Sequence, residues 1–148
     1  MRPLVSKTLK CLTAVAQRMG KGFREAPYQQ ACAVECRLQQ LSCSLEVVAP
    51  IRYKEEAVGS IRLDMIVNNE LIVEFKSIDA VLKAAHAPQL VGYLNQTPYR
   101  FGILFNFISH PDKPLFDYLI VERKLSLFHG TSMSGETFLL DAQGCRIQ

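Results

Sequence analysis

Apolar residues recur at helical spacing through the first forty residues. From 4 to 19 they repeat every three or four positions, and a glycine-containing turn ends the pattern. A second helical pattern runs from about 24 to 40 and places Pro27 in its first turn, where a missing N–H costs nothing. The spacing therefore predicts two consecutive helices at the start of the chain.

The rest of the chain alternates between strand-like and helical patterns. Strands are expected at 44–53, 61–67, 71–78, 101–107 and 117–121, with Gly59-Ser60 as a turn. A helix is expected over 88–96, whereas 79–87 carries no clear pattern and the last twenty-odd residues suit a small hairpin or a loose tail. The order ααβββαββ indicates an α/β fold in which helices flank one mixed sheet.

The hairpin between 61 and 78 carries an apolar residue at each odd strand position. These residues are Leu63, Met65, Val67, Leu71, Val73 and Phe75. Turning all of them toward one core pairs Val67 with Leu71, Met65 with Val73 and Leu63 with Phe75. A three-residue loop, Asn68-Asn69-Glu70, is left between the strands, and a two-residue loop is excluded because it would turn half of the apolar set outward.

This register brings two carboxylates together. Asp64 lies directly across from Glu74, with Cβ atoms ~5 Å apart, and Lys76 follows on the same face. Because like charges in this position destabilise a sheet, we expect a divalent cation, Mg²⁺ or Mn²⁺, between them, with Lys76 holding water or neutralising a phosphate. In the alternative interpretation, Lys76 and Arg62 merely neutralise two carboxylates on a solvated face.

Three further residues are candidates for the same site. Gln89 and Tyr93 are four residues apart on the helix after the hairpin, where an amide and a phenol on one face can contact a phosphate backbone. Glu25 falls in the first turn of the second helix, where the helix dipole favours a carboxylate.

Composition limits the class of protein. The chain has 148 residues, of which 49% are hydrophobic and 21% charged, as in one ordinary globular domain rather than a coiled coil or a disordered chain. The longest mainly apolar stretch, 101–108, is far shorter than the ~18 residues of a membrane span. The net charge of +3 is small, but six basic residues precede the first acid and suit either a phosphate-facing patch or a solvated helix face. They are Arg2, Lys7, Lys10, Arg18, Lys21 and Arg24.

The five cysteines indicate a reducing compartment, because their number is odd and no CxxC occurs. We therefore expect an intracellular protein of the cytoplasm, the nucleus or an organelle. Cys32 and Cys36 share a helical face, but the sequence places neither a His pair nor two further thiols beside them. They are expected to be core residues without chemistry.

Several separated motifs, in the right order, resemble the GxxExxY proteins of the PD-(D/E)xK nuclease superfamily. These motifs are Gly22-Phe23-Arg24-Glu25-Ala26-Pro27-Tyr28, Arg62-Leu63-Asp64, Val73-Glu74-Phe75-Lys76, Gln89-Leu90-Val91-Gly92-Tyr93-Leu94 and Gly102-Ile103-Leu104-Phe105-Asn106-Phe107. The resemblance implies a restriction-endonuclease-like core of αβββαβ type over residues 1–124. Residues 125–148 would be a C-terminal extension or hairpin packed on the same domain.

The resemblance also implies a chemistry. Asp64, Glu74 and Lys76 would be catalytic in a Mg²⁺- or Mn²⁺-dependent nuclease acting on nucleic acid, most plausibly DNA, with Asp64, Glu74 and Glu25 as metal ligands. Gln89 and Tyr93, as in RecB-like nucleases, would bind substrate, together with Arg62, Lys21 and Arg24.

Two alternatives concern the whole protein. A catalytically inactive module could use the same fold to bind nucleic acid or protein. A homodimer would help so small a nuclease cover a duplex.

The basic N-terminus also resembles an organelle transit peptide, but the first helix belongs to the family's domain, so we expect it to be folded structure. His86, shortly before Gln89, is expected to be an incidental histidine.

Overall fold

The computed structural model describes residues 2–148. Its helices are α1 (Pro3–Met19), α2 (Glu25–Leu38) and α3 (Pro88–Asn95), with a short 3₁₀ turn at Ala84–His86. Its strands are β1 (Cys43–Tyr53), β2 (Glu56–Val67), β3 (Leu71–Lys76), β4 (Phe101–Phe107), β5 (Phe116–Lys124), β6 (Leu127–Ser132) and β7 (Thr137–Leu140). Across this range, no helix is both long and apolar enough to cross a membrane.

The strands of residues 2–148 form one seven-stranded sheet in the order of the chain, from β1 to β7. Each strand pairs with the next in antiparallel fashion, except that β3 and β4 are parallel. A parallel pair needs a crossover connection, and the segment containing α3 supplies it. The predicted mixed sheet flanked by helices is therefore confirmed.

The turn of the first hairpin differs from the prediction. Gly59 and Ser60 lie inside β2, where Ser60 pairs with Pro50 of β1. The chain instead reverses at Lys54 and Glu55, whose φ angles are 48° and 71°. A two-residue hairpin turn of type I′ needs positive φ at both positions, and Gly or Asn usually supplies it. Here the long β1–β2 ladder holds two other residues in that conformation.

Two hydrophobic cores lie on opposite faces of the sheet. In the first core, α1 and α2 pack on the sheet through residues such as Leu12, Cys36 and Phe105. In the second core, α3 packs on the other face, where Leu90 and Leu104 are buried. The sheet is thus covered on both sides at its centre, which holds β3 between the two helical layers.

The register of the second hairpin is confirmed near its loop. Met65 pairs with Val73 and Val67 with Leu71, and Asn68 and Asn69 take positive φ in the loop. The expectation that Leu63 shares their core is wrong, because Leu63 lies in the second core whereas Met65 lies in the first. The alternation of faces along β2 is therefore interrupted at the residue between them, Asp64.

The segment between β3 and α3 is held by two buried polar side chains. Asn106 accepts a hydrogen bond from Ile78 N–H and donates to the carbonyls of Ile78 and Ala80, each at 2.9 Å. Asp117 Oδ2 accepts a hydrogen bond from Leu82 N–H at 2.5 Å. Since the sequence of this segment has little regular pattern, these contacts determine where α3 begins relative to the sheet.

The last residues of the chain extend the same sheet. β6 and β7 form a hairpin whose side chains Phe128, Phe138 and Leu140 are buried in the second core. Gly130 pairs with Phe138, and a Cβ atom at this glycine would lie 2.1 Å from Phe138 Cε2. The hairpin therefore belongs to the packed interior.

We expect Gly130→Ala to destabilise the protein by about 1–3 kcal/mol, because the new methyl group overpacks the Phe138 ring. Gly92→Ala is the matched control: its Cβ meets nothing within 4 Å in the middle of α3. That change should stabilise the protein by about 0.5–1 kcal/mol. Urea unfolding measures both values, and a neutral Gly130→Ala would contradict the packing of β7 on β6.

Candidate active site

The site lies where β2 and β3 separate. Their ladder of paired residues runs from Val67–Leu71 to Met65–Val73. Beyond it, Asp64 N–H donates to Glu74 Oε1 at 3.0 Å and Phe75 N–H donates to Asp64 Oδ2 at 2.8 Å. Each carboxylate thus accepts a hydrogen bond from the backbone of the other strand, which brings the two acids together.

Both carboxyl groups are held in an environment that disfavours their charge. Glu74 is only 6% exposed. Burial and the charge of Asp64 raise the pKa of Glu74 to about 9. Burial also raises the pKa of Asp64, whereas the hydrogen bond from Phe75 N–H lowers it by a smaller amount. Glu74 therefore retains its proton near neutral pH unless a positive charge takes its place.

Lys76 and α3 form one side of the site. Lys76 Nζ donates to Gln89 Oε1 at 3.3 Å, and Gln89 Nε2 donates to the Tyr93 hydroxyl at 3.2 Å. Burial and the charges of Glu74 and Asp64 raise the pKa of Tyr93. Gln89 and Tyr93, whose spacing predicted a shared helix face, thus form a hydrogen-bonded row with Lys76. The row lies within electrostatic reach of Asp64 and Glu74.

Glu25 approaches from the other helical layer. It is the first residue of α2. Its pKa is raised by burial and then by the charge of Asp64, whereas the charge of Lys76 lowers it. Glu25 therefore lies within electrostatic reach of both residues, although it comes from a helix on the opposite face of the sheet from α3.

Gln29 was not predicted from the sequence. It is a buried polar residue, 6% exposed, four residues after Glu25 on α2. Its Nε2 donates to Glu46 Oε1 at 2.9 Å and to the backbone carbonyl of Asp64 at 3.2 Å. The spacing from Glu25, which places both residues on one helix face, was the signal that could have identified it.

Glu46 was also missed. It lies in β1 between Leu45 and Val47, whose partners Met65 and Leu63 flank Asp64, and its φ of 52° is unusual for a strand. Sequence periodicity carries no sign of this conformation. Arg62, a predicted substrate contact, forms an exposed ion pair with Glu46 at 3.7 Å.

Lys21 makes backbone contacts that the sequence did not predict. Its ammonium group donates to the carbonyls of Ile108, His110, Lys113 and Pro114, at distances of 2.6–3.2 Å. A lysine has three N–H donors, so these carbonyls occupy all of them. Lys21 therefore ties the turn between α1 and α2 to the loop after β4.

Other residues of the opening motif are placed as follows. Arg24 is exposed at the N-terminal cap of α2. The Tyr28 hydroxyl donates to the carbonyl of Gly20 at 2.6 Å, and its ring stacks on Phe107 at 4.1 Å between centroids. Tyr28 thus fixes the turn in front of Glu25. His86 Nδ1 accepts a hydrogen bond from Lys83 N–H, as expected of a structural histidine.

Comparison with protein families identifies the group to which these residues belong. A family model described as the PD-(D/E)XK nuclease superfamily matches residues 2–116. The chain belongs to this superfamily. The match runs from the start of α1 into β5 and includes every site residue described above. Comparisons with curated proteins and with solved structures gave no match.

Membership of the PD-(D/E)XK superfamily explains the architecture. The sheet flanked by helices is consistent with a restriction-endonuclease-like PD-(D/E)XK fold. Within the matched range the chain carries an Asp, Asp64, followed by a Glu-x-Lys sequence, Glu74-Phe75-Lys76. The superfamily suggests a nuclease, whose substrate is nucleic acid, and its members typically use divalent metal ions.

The residues of the site fit a divalent cation of the Mg²⁺ type. Asp64 and Glu74 each use one oxygen for a backbone N–H and retain the other. In the described part of the chain, no three Asp, Glu, His or Cys side chains are arranged to hold an ion by themselves. Mg²⁺ needs no such cage, because it is commonly held by one or two carboxylates with water and substrate phosphate.

We expect Glu74→Gln to stabilise the metal-free protein. Between the ordinary pKa of a glutamate and about 9, folded Glu74 keeps a proton that the unfolded chain has lost. The contribution of Glu74 to stability is thus fully present below its ordinary pKa and is lost as the pH rises through this window. Glutamine cannot ionise, so at pH ~8 in a chelator the variant should gain at least about 1 kcal/mol, since one pKa unit is worth about 1.4 kcal/mol.

Urea unfolding at several pH values measures this effect. Glu70→Gln is the matched control, because Glu70 is an exposed carboxylate in the loop of the same hairpin. It should leave the unfolding free energy unchanged within about 0.5 kcal/mol. If Glu74→Gln were as neutral as the control, the carboxylate would not be strained by burial.

Lys21→Met should destabilise the protein by about 1–3 kcal/mol, because hydrogen bonds to a charged donor are lost and carbonyls lose their partner. The measurement is the urea midpoint, with Lys10→Met on the exposed face of α1 as the control. Nucleic-acid binding weakened without any loss of stability would instead support contact of Lys21 with substrate.

Proposed function

We propose that the protein is a Mg²⁺- or Mn²⁺-dependent nuclease of the GxxExxY type that hydrolyses phosphodiester bonds in DNA. The observation that carries the proposal is the pairing of two carboxyl groups, half-buried Asp64 and buried Glu74, in the hairpin that also carries Lys76. Superfamily membership supports the reaction class. The similarity of Gln89 and Tyr93 to the corresponding residues of RecB-like nucleases supports DNA.

Asp64 and Glu74 are better suited to binding a metal ion than to stabilising the fold. A buried pair of carboxyl groups destabilises its charged form, and the chain places no basic side chain within ion-pair distance of Glu74 among residues 2–148. We assign Asp64 and Glu74 as metal ligands and Glu25 as an additional ligand. A bound divalent cation supplies the positive charge that ionised Asp64 and Glu74 require, and it polarises the phosphodiester.

Lys76 is assigned to the attacking water and the phosphate. The hydrogen bond to Gln89 holds its ammonium group at the edge of the acid pair. From there it can orient a water molecule or balance the negative charge that develops on the phosphate. Gln29 holds the Asp64 backbone and Glu46 in place, which makes it a positioning residue rather than a catalytic one.

The substrate is assigned to the surface around this row. Gln89 and Tyr93 contact the backbone next to Lys76, and the exposed side chains of Arg62 and Arg24 approach from β2 and α2. A homodimer would extend this surface along a duplex. The free cysteines are compatible with the reducing interior of a cell.

Asp64→Asn and Lys76→Ala should each lower the rate of DNA cleavage at least about 100-fold, because each removes a charge that acts in the transition state. Purified protein is incubated with single-stranded and double-stranded DNA, and with RNA, in Mg²⁺ or Mn²⁺. Mn²⁺ titration calorimetry should show weaker binding for Asp64→Asn and nearly unchanged binding for Lys76→Ala.

Lys124→Ala is the control, since this exposed lysine lies at the end of β5. Its cleavage rate should equal that of the unmodified protein. Cleavage that survives in both site variants would come from a contaminant and would end the proposal. DNA binding without cleavage or Mn²⁺ binding would identify the inactive binding module instead, and cleavage of RNA alone would correct the substrate.

A further inference from the structure

The fold gathers thiols that are distant in the sequence. Cys11 of α1 and Cys32 and Cys36 of α2 are buried together in the first core, and Cys43 at the start of β1 packs against them. The sequence provided no second pair of thiols beside Cys32 and Cys36. The structure places Cys11 and Cys43 with them.

One pair within this cluster lies at the junction of α2 and β1. Cys36 is in the last turn of α2 and is buried in the first core, and Cys43 is the first residue of β1 and packs against that core. The connecting chain is closed tightly, because Leu41 N–H donates to the carbonyl of Cys36 at 2.8 Å. Cys36 is fully buried and Cys43 is half-buried, so a small reagent reaches the pair from the Cys43 side.

The two thiols differ in reactivity. The hydrogen bond from Cys36 lowers the pKa of Cys43, burial opposes this, and the charge of Arg37 lowers it further. Cys36 shows the opposite shift: its hydrogen bond to Cys43 and burial raise its pKa. Thiolates are the nucleophilic form of cysteine. A partly accessible thiol with a lowered pKa close to a second thiol is the arrangement found where oxidation ends in a disulfide.

Alternative partners are less suitable. Cys11 also forms a hydrogen bond with Cys36, but Cys11 is 2% exposed and burial raises its pKa. Cys32 is fully buried, and burial raises its pKa as well. Among the residues that the structure covers, no three side chains of the Cys, His, Asp and Glu types are placed to share a metal ion. The cluster therefore favours pairwise thiol chemistry.

We propose that Cys36 and Cys43 are a redox modification site that forms a reversible disulfide on reaction with a peroxide. The Cys43 thiolate attacks one oxygen of hydrogen peroxide, the O–O bond breaks, and hydroxide leaves and takes up a proton to become water. The sulfur of Cys36 then attacks the resulting sulfenic acid at Cys43. The S–S bond forms, the S–O bond breaks, and the hydroxyl group leaves with the Cys36 proton as a second water. Two thiols are oxidised by two electrons while the peroxide is reduced.

The location of the disulfide links two elements of the candidate site. Cys36 lies in the last turn of α2, which begins at Glu25, and Cys43 begins β1, which carries Glu46. The proposal does not rest on the nuclease function, because it follows from the thiols alone.

Peptide mapping of the intact protein tests the proposal. The protein is treated with hydrogen peroxide, free thiols are alkylated, and the chain is digested with trypsin without reductant. Arg37 separates the two cysteines, so peptides 25–37 and 38–52 should appear as one cross-linked species that dithiothreitol divides. Because peptide 25–37 contains both Cys32 and Cys36, fragmentation of the cross-linked species locates the bond.

Four variants sharpen the result. Cys36→Ser and Cys43→Ser should each abolish the cross-linked species, whereas Cys32→Ser should retain it. Cys145→Ser removes the exposed thiol near the C-terminus and should also retain it. Fragmentation of the unmodified protein gives the answer even if a core variant fails to fold.

Several results would overturn the proposal. They are a bond from Cys36 to Cys11, oxidation of Cys145 with Cys36 and Cys43 still free, or a cross-link that survives in Cys36→Ser. One equivalent of zinc that co-purifies with the protein and is lost in Cys36→Ser would also overturn it, because it would identify the cluster as a metal site.

Discussion

The candidate site depends on an exchange of hydrogen bonds at the point where β2 leaves β3. There the carboxylates of Asp64 and Glu74 take the place of backbone carbonyls as acceptors for N–H groups of the opposite strand. A regular ladder would keep both acids on one face of the sheet. The separation instead allows α2 to reach the acids from one layer and α3 from the other.

This exchange also marks the limit of what the sequence could predict about the hairpin. The register near the loop follows from alternating apolar residues, because the burial of Met65, Val67, Leu71 and Val73 decides which residues pair. Leu63 follows the same alternation in the sequence but packs in the other core. Its change of face coincides with the side-chain bonds to the backbone at Asp64 and with the positive φ of Glu46 in β1, neither of which periodicity describes.

Residues that act through long-range contacts were harder to predict than the motif itself. The motif predicted the placement of Asp64, Glu74 and Lys76 because one hairpin contains them all. Gln29 and Glu46 come from different elements, and their contact with each other and with Asp64 exists only after α2 has packed on the sheet. The same holds for Lys21, whose acceptors follow it by 87 to 93 positions in the chain.

The buried polar pair Asn106 and Asp117 connects the fold to the site. The side chains of both residues form hydrogen bonds with the backbone of the segment that leads to α3. Satisfied polar groups in a low-dielectric interior favour one arrangement, because any other leaves a buried group unpaired. The position of Gln89 beside Lys76 therefore depends on residues that touch neither of them.

Pro50 has a consequence for how the protein behaves in solution. It lies in β1, which forms one edge of the sheet and borders the site through Glu46. Edge strands offer unpaired N–H and C=O groups to other chains, and a proline interrupts that row of donors. The edge can thus remain uncovered beside the candidate site, while self-association into extended fibrils is discouraged.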